Sequence, residues 1–142
     1  MFQIDTEIMN LVAAFRSAGI TDIFLFFTYL GDWRVIVGLS IIAIIILGLL
    51  RERRKIVFLA VALISGEVIK ELLKFLIHRQ RPDVGFSLIS ESGYSFPSGH
   101  AFMSVIFYGA IAYFIYKLCK KTWQKITLST GFAVLIFLIG FS

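Results

Sequence analysis

The sequence predicts an all-α integral membrane protein: a helical bundle with about four spanning helices, preceded by an N-terminal interfacial helix. Three observations carry this. Of 142 residues, 58% are hydrophobic, and the mean hydropathy is +0.88. Only 16% are charged, whereas a soluble domain has about 25% charged and about 45–50% apolar residues. The charges bracket uncharged apolar runs instead of mixing with them, as connections bracket spans. The length suits one membrane-embedded domain over residues 1–142. A net charge of +5 does not point to nucleic acid, because the basic residues form no separate basic domain. The single cysteine, Cys119, excludes an intrachain disulfide framework and a cysteine metal cluster. Residues 1–10 hold two acids and no Lys or Arg, so they do not read as a signal peptide of the usual form.

Taken in order, residues 1–34 are mixed. Ile8, Leu11, Val12 and Phe15 recur at helical spacing with Asn10 and Arg16 between them, the pattern of an amphipathic helix at the interface. Residues 23–30 are apolar but too short to cross alone, since crossing takes about 20 residues. A single span over residues 8–30 is the alternative. Gly31-Asp32 marks a turn. Residues 35–50 carry no charge and form a first span with Trp33 at its edge. Residues 51–55 place four positive charges in five positions. Residues 56–77 form the second span, and residues 78–99 a loop rich in Gly, Ser and Pro. Residues 101–116 form the third span, where Gly109, Ala110 and Ala112 permit close helix approach. Lys117, Lys120, Lys121 and Lys125 follow, with Trp123 as an interfacial anchor. Residues 126–142 are a fourth uncharged run. The connections at 51–55 and 117–125 hold four Lys or Arg each, against Arg79 and Arg81 in the 78–99 loop. The positive-inside rule therefore puts the first two in the cytoplasm and the 78–99 loop on the extracytoplasmic side.

The chemistry concentrates between Glu67 and His100. At 100° per residue, Glu67, Lys70, Glu71, Lys74, His78 and Arg81 fall in one stripe about 100° wide if the helix continues that far. Val68, Ile69, Leu72, Leu73, Phe75, Leu76 and Ile77 form the other face. A charged stripe on an otherwise apolar span turns away from lipid, so it forms one wall of a polar site. Pro82 disfavours helix at the residue before it and is expected to end this helix near Arg79 or Gln80. Lys74 and Arg81 then point the same way, a point charge and a planar fork suited to a tetrahedral oxyanion such as phosphate. The alternative is that both only pair with Glu67, Glu71 or Asp83. Phe96-Pro97-Ser98-Gly99-His100 lies just before the third span. Ser98 and Gly99 are expected at the first turn of a helix, where backbone N–H groups point outward and the dipole end is positive. Ser98 adds a hydroxyl donor, and Gly99 lets a ligand come close to the backbone. His100 is suited to give a proton to a leaving oxygen.

Lys-x6-Arg-Pro (Lys74 to Pro82), followed by Pro-Ser-Gly-His (Pro97 to His100), resembles the type 2 phosphatidic acid phosphatase family, which shares its site with vanadium haloperoxidases. The resemblance covers roughly residues 55–142. It implies a metal-independent, cofactor-free membrane phosphatase that acts on a lipid phosphate or diphosphate, with membrane lipids and the substrate as its partners. It implies that Lys74, Arg81, Ser98 and Gly99 bind phosphate, that His100 is the general acid, and that Pro82 and Pro97 are structural members of the motifs. The family's third motif, Ser-Arg-x5-His-x3-Asp, supplies a nucleophilic histidine. Here the sequence ends Ile139-Gly140-Phe141-Ser142, which reads as the approach to that motif cut at its first residue. The expectation is a C-terminally truncated member that lacks the nucleophile and is itself inactive. His78 is not assigned that role. Two other classes compete: a noncatalytic phosphate-binding fragment, and an anion transporter with the charged stripe lining a pore. The transporter predicts polar stripes on other spans, but the third offers only Ser104, Tyr108 and Tyr113, and the fourth only Thr127, Ser129 and Thr130 near one end. Haloperoxidase chemistry fits poorly, because haloperoxidases of this superfamily are soluble.

Overall fold

The computed structural model describes residues 18–78 and 96–141, with side chains from Asp22 onward. Its elements are α1 (Ala18–Gly31), α2 (Trp33–Leu49), α3 (Arg53–Ile77), α4 (Gly99–Leu118) and α5 (Thr122–Phe141). No strand occurs among the described residues, so the all-α expectation holds. Arg81 and Pro82 lie outside them, as do Arg79, Gln80, Asp83 and the predicted amphipathic segment around Ile8–Phe15.

Local chemistry sets the helix ends. The Gly31-Asp32 turn is present: Asp32 caps α2, its Oδ1 accepting from the Arg34 N–H at 2.8 Å. At the other end of α2, Glu52 N–H donates to the Leu47 carbonyl (2.9 Å) and Arg51 N–H to that of Gly48 (3.0 Å). This is a Schellman turn, with Arg51 in the left-handed position at φ 60°. Helix α3 stops earlier than the Pro82 argument places it. It ends at Ile77, where His78 takes φ 46° and its N–H donates to the Lys74 carbonyl at 3.1 Å. A left-handed residue turns the chain off the helix axis, so the end is decided before Pro82 can act.

Helix α4 is the hub, in contact with each of the other four. It buries Ser104, Phe107, Tyr108, Ala110 and Phe114. Between helices in lipid the hydrophobic effect gives little drive, so close packing at small residues matters. Gly66 of α3 seats the tip of Ile106, and a Cβ there would overlap Ile106 Cδ1. Ser40, Ser104 and Ala110 are buried in the same way. Gly109 was expected to serve such a contact, but a Cβ there would meet nothing within 4 Å. The outer surface is apolar, with Leu49 80% and Phe137 68% exposed, as a lipid-facing surface is. At the α4–α5 connection, Lys125 Nζ lies 4.9 Å from the Tyr116 ring centre and Lys117 Nζ 5.5 Å from that of Tyr113.

Among the described residues, two helices, α4 and α5, are long and apolar enough to cross a membrane alone. A third span is available if Asp22–Gly31 and α2, bent by 57° at their junction, count as one broken span. The expected count of four is thus not confirmed. Helix α2 has only 17 residues. Helix α3 has 25, roughly 37 Å of rise, but Glu67, Lys70 and Glu71 interrupt its apolar run.

Candidate functional site

The candidate site is at the start of α4, which packs against the end of α3 and against the ends of α1 and α5. Helices α3 and α4 pack antiparallel: Gly66 is beside Ile106, and Lys70 is beside Gly99. A Cβ on Gly99 would lie 3.9 Å from Lys70 Cδ, so the Lys70 stem runs along the first turn of α4. Lys74 is one turn further along α3. Helix side chains tilt toward the N-terminus, so Lys74 leans back toward the level of Gly99.

The stripe on α3 folds into a charge ladder. Lys70 Nζ lies 2.5 Å from Glu67 and 3.3 Å from Glu71, with its side chain 12% exposed. Lys74 Nζ lies 3.7 Å from Glu71. The pairing that competed with an oxyanion role is therefore present for Lys74. His78, off the helix, has its ring 5.1 Å from that of Phe75.

Ser98 is the N-cap of α4 and is exposed. Its Oγ accepts from the Ala101 N–H at 3.4 Å, and its carbonyl accepts from the Phe102 N–H at 2.9 Å. A hydroxyl that accepts one bond keeps its own hydrogen to donate outward. Gly99 is the first residue of the helix, and its N–H has no carbonyl partner within it. Pro97, just before the cap, is buried. His100 follows on the first turn, half-buried, and is backed by Gly31 of α1 and Ile139 of α5. The last turn of α5 meets α4 again through Gly140, where a Cβ would lie 3.6 Å from Ala101 Cβ.

The structure thus sets Lys70, Ser98, Gly99 and His100 at one end of the α3–α4 pair, with Lys74 one turn beyond Lys70 and paired with Glu71, while Arg81 and Pro82 fall outside the described residues. Sequence reasoning missed two members. Lys70 was on the predicted stripe, but nothing marked it as the lysine beside Gly99. Gly31 read only as a turn, because its contact with His100 depends on tertiary packing.

A helical membrane bundle with a lysine-bearing face laid against a Ser-Gly-His helix start has a counterpart among known proteins: the chain belongs to the PAP2 superfamily, whose sequence model matches residues 55–142. It is similar to phosphatidylglycerophosphatase B of Bacillus subtilis strain 168, with 32% identity over 115 residues, covering 80% of this chain and 55% of that protein. The chain thus spans about half the length of that curated relative. It is also similar to the crystal structure of a transmembrane PAP2-type phosphatidylglycerolphosphate phosphatase from Bacillus subtilis. That match has a TM-score of 0.87 and 26% identity, and covers 98% of this chain and 69% of the other.

Proposed function

We propose that this chain carries the phosphate cradle and the proton donor of a multi-pass cell-membrane phosphatase. Its substrate is a lipid phosphate or diphosphate at the extracytoplasmic face, with phosphatidylglycerophosphate the first to try, given the names of the relatives. Lys74 and Arg81 bind phosphoryl oxygens as point charge and planar fork. The Ser98 hydroxyl and the Gly99 amide donate to the same group, where the helix dipole favours negative charge. His100 gives its proton to the leaving oxygen that bears the lipid. One observation carries the reading: Ser98 caps α4 through a lone pair, keeping its O–H, on the helix whose first residue lies against the Lys70 stem. The Lys/Arg asymmetry of the connections supports the extracytoplasmic side.

In the family, the third-motif histidine attacks phosphorus: an N–P bond forms as the P–O bond to the lipid breaks, and water later cleaves the N–P bond. These 142 residues hold two histidines, and neither is assigned that role. The last turn of α5, beside His100 and Ala101, supports the third motif reaching the same site. The lack of an assigned nucleophile favours a second reading for this chain by itself, phosphate binding without turnover.

Phosphate release from phosphatidylglycerophosphate, read with malachite green, tests this. The 142-residue chain should release none, and a chain extended after Ser142 by a tail of the family pattern should. In the extended chain His100→Ala should slow the lipid substrate by about 10²- to 10⁴-fold, the usual range for a general acid. It should slow activated aryl phosphates far less. Turnover by the short chain that His78→Ala abolishes would make His78 the nucleophile and overturn the assignment.

A further inference from the structure

We propose that the elbow at Gly31 is a positioning element that sets the His100 ring from behind; this rests on His100 being the proton donor. Gly31 is buried at the end of α1. A Cβ built on it would lie 3.1 Å from His100 Cβ, 3.3 Å from His100 Cδ2 and 2.6 Å from Ile139 Cγ2. The backbone of Gly31 is outside the left-handed region, so glycine is needed here for space and not for its torsional freedom. Its neighbours also cannot retreat. His100 Cβ is bonded to the backbone, and Ile139 Cγ2 is one bond further out. At Gly66 the facing atom is the flexible tip of Ile106.

Two hydrogen bonds fix the elbow. The buried Tyr108 hydroxyl donates to the Leu30 carbonyl at 2.9 Å, tying the last turn of α1 to α4. That carbonyl is among the last four of α1, which have no partner within the helix. Asp32 N–H donates back to the Tyr29 carbonyl at 3.1 Å, while the Asp32 side chain caps α2. Tyr108 lies eight residues beyond His100, about 80° around the helix, so the same side of α4 that carries the histidine holds α1 against it. The Gly31 backbone thereby removes rotamer space on the side of the imidazole that carries Cδ2.

The test is the ring nitrogen spectrum of ¹⁵N-histidine chain in micelles, in a His78→Gln background so that His100 gives the only side-chain signals. Gly31→Ala should displace or split those signals. Tyr108→Phe should displace them less. Gly38→Ala should leave them in place, since a Cβ there meets nothing within 4 Å. If Gly31→Ala fails to fold, Gly31→Ala/Ile139→Ala removes the Ile139 overlap and keeps the one with His100. Its His100 signals should still be displaced. Wild-type His100 signals in either folded Gly31 variant would overturn the proposal, even if thermal stability falls, because Gly31 would then only pack. Adding inorganic phosphate to the His78→Gln chain without further substitution separates the two readings. If phosphate leaves the His100 signals unmoved, the proton-donor role fails, while displacement by Gly31→Ala would still stand.

Discussion

At the scale of single residues, magnitudes decide between the two roles open to Lys74. Its partner Glu71 is 3.7 Å away with a side chain 59% exposed. Pairs of this kind contribute about 0–1 kcal/mol, while a hydrogen bond to a charged group contributes roughly 1.5–3 kcal/mol. An oxyanion can therefore draw Lys74 from Glu71 at little cost. Lys70, held by two carboxylates and only 12% exposed, is the firmer part of the ladder. His78 gives a prediction of its own. A side chain in the left-handed region costs about 1–2 kcal/mol, which glycine avoids. His78→Gly should thus raise thermal stability in detergent by about 1 kcal/mol, followed by circular dichroism. A lower melting temperature would mean that the ring contact with Phe75 outweighs the backbone strain.

At the scale of elements, the sequence was most readable where one local rule governs. The α3 stripe follows from helical pitch, and its Glu67, Lys70, Glu71 and Lys74 pair with one another, for Lys74 the alternative to an oxyanion role. The turn at Gly31-Asp32 and the helix start at Ser98-Gly99 were legible, and there Asp32 and Ser98 act as caps, since a short oxygen-bearing side chain before a helix has few better partners. The end of α3 was not readable, because His78 adopts a conformation that no strong glycine or asparagine signal announces. Gly31 and Tyr108 were not readable for a different reason. Their partners, His100 and Leu30, are 69 and 78 residues away in sequence, and only the packed bundle brings them together. The close-approach sites show the same limit. Composition singled out Gly109, but the face of α3 turned toward α4 selects Gly66.

At the scale of the whole molecule, charge distribution and site position agree. The lysine-rich α4–α5 connection lies at the opposite end of α4 from Ser98 and His100. If the lysines face the cytoplasm, the site opens on the other side of the membrane. Single cysteines at Ser90 and Lys121, in a Cys119→Ser background, can be labelled from outside with an impermeant reagent. Ser90→Cys should label and Lys121→Cys should not; the reverse would invert the topology.

The central claim is that the start of α4 and the lysine face of α3 converge on one phosphate. Calorimetric titration of the chain in detergent with phosphate or vanadate tests this most directly. Losing one charge-assisted contact should weaken binding roughly ten- to hundredfold in Lys74→Ala. Glu71→Gln, which removes the carboxylate competing for Lys74 and leaves Lys70 paired with Glu67, should bind at least as tightly as wild type. Equal affinity in wild type and Lys74→Ala would contradict the account and return Lys74 to a structural ion pair.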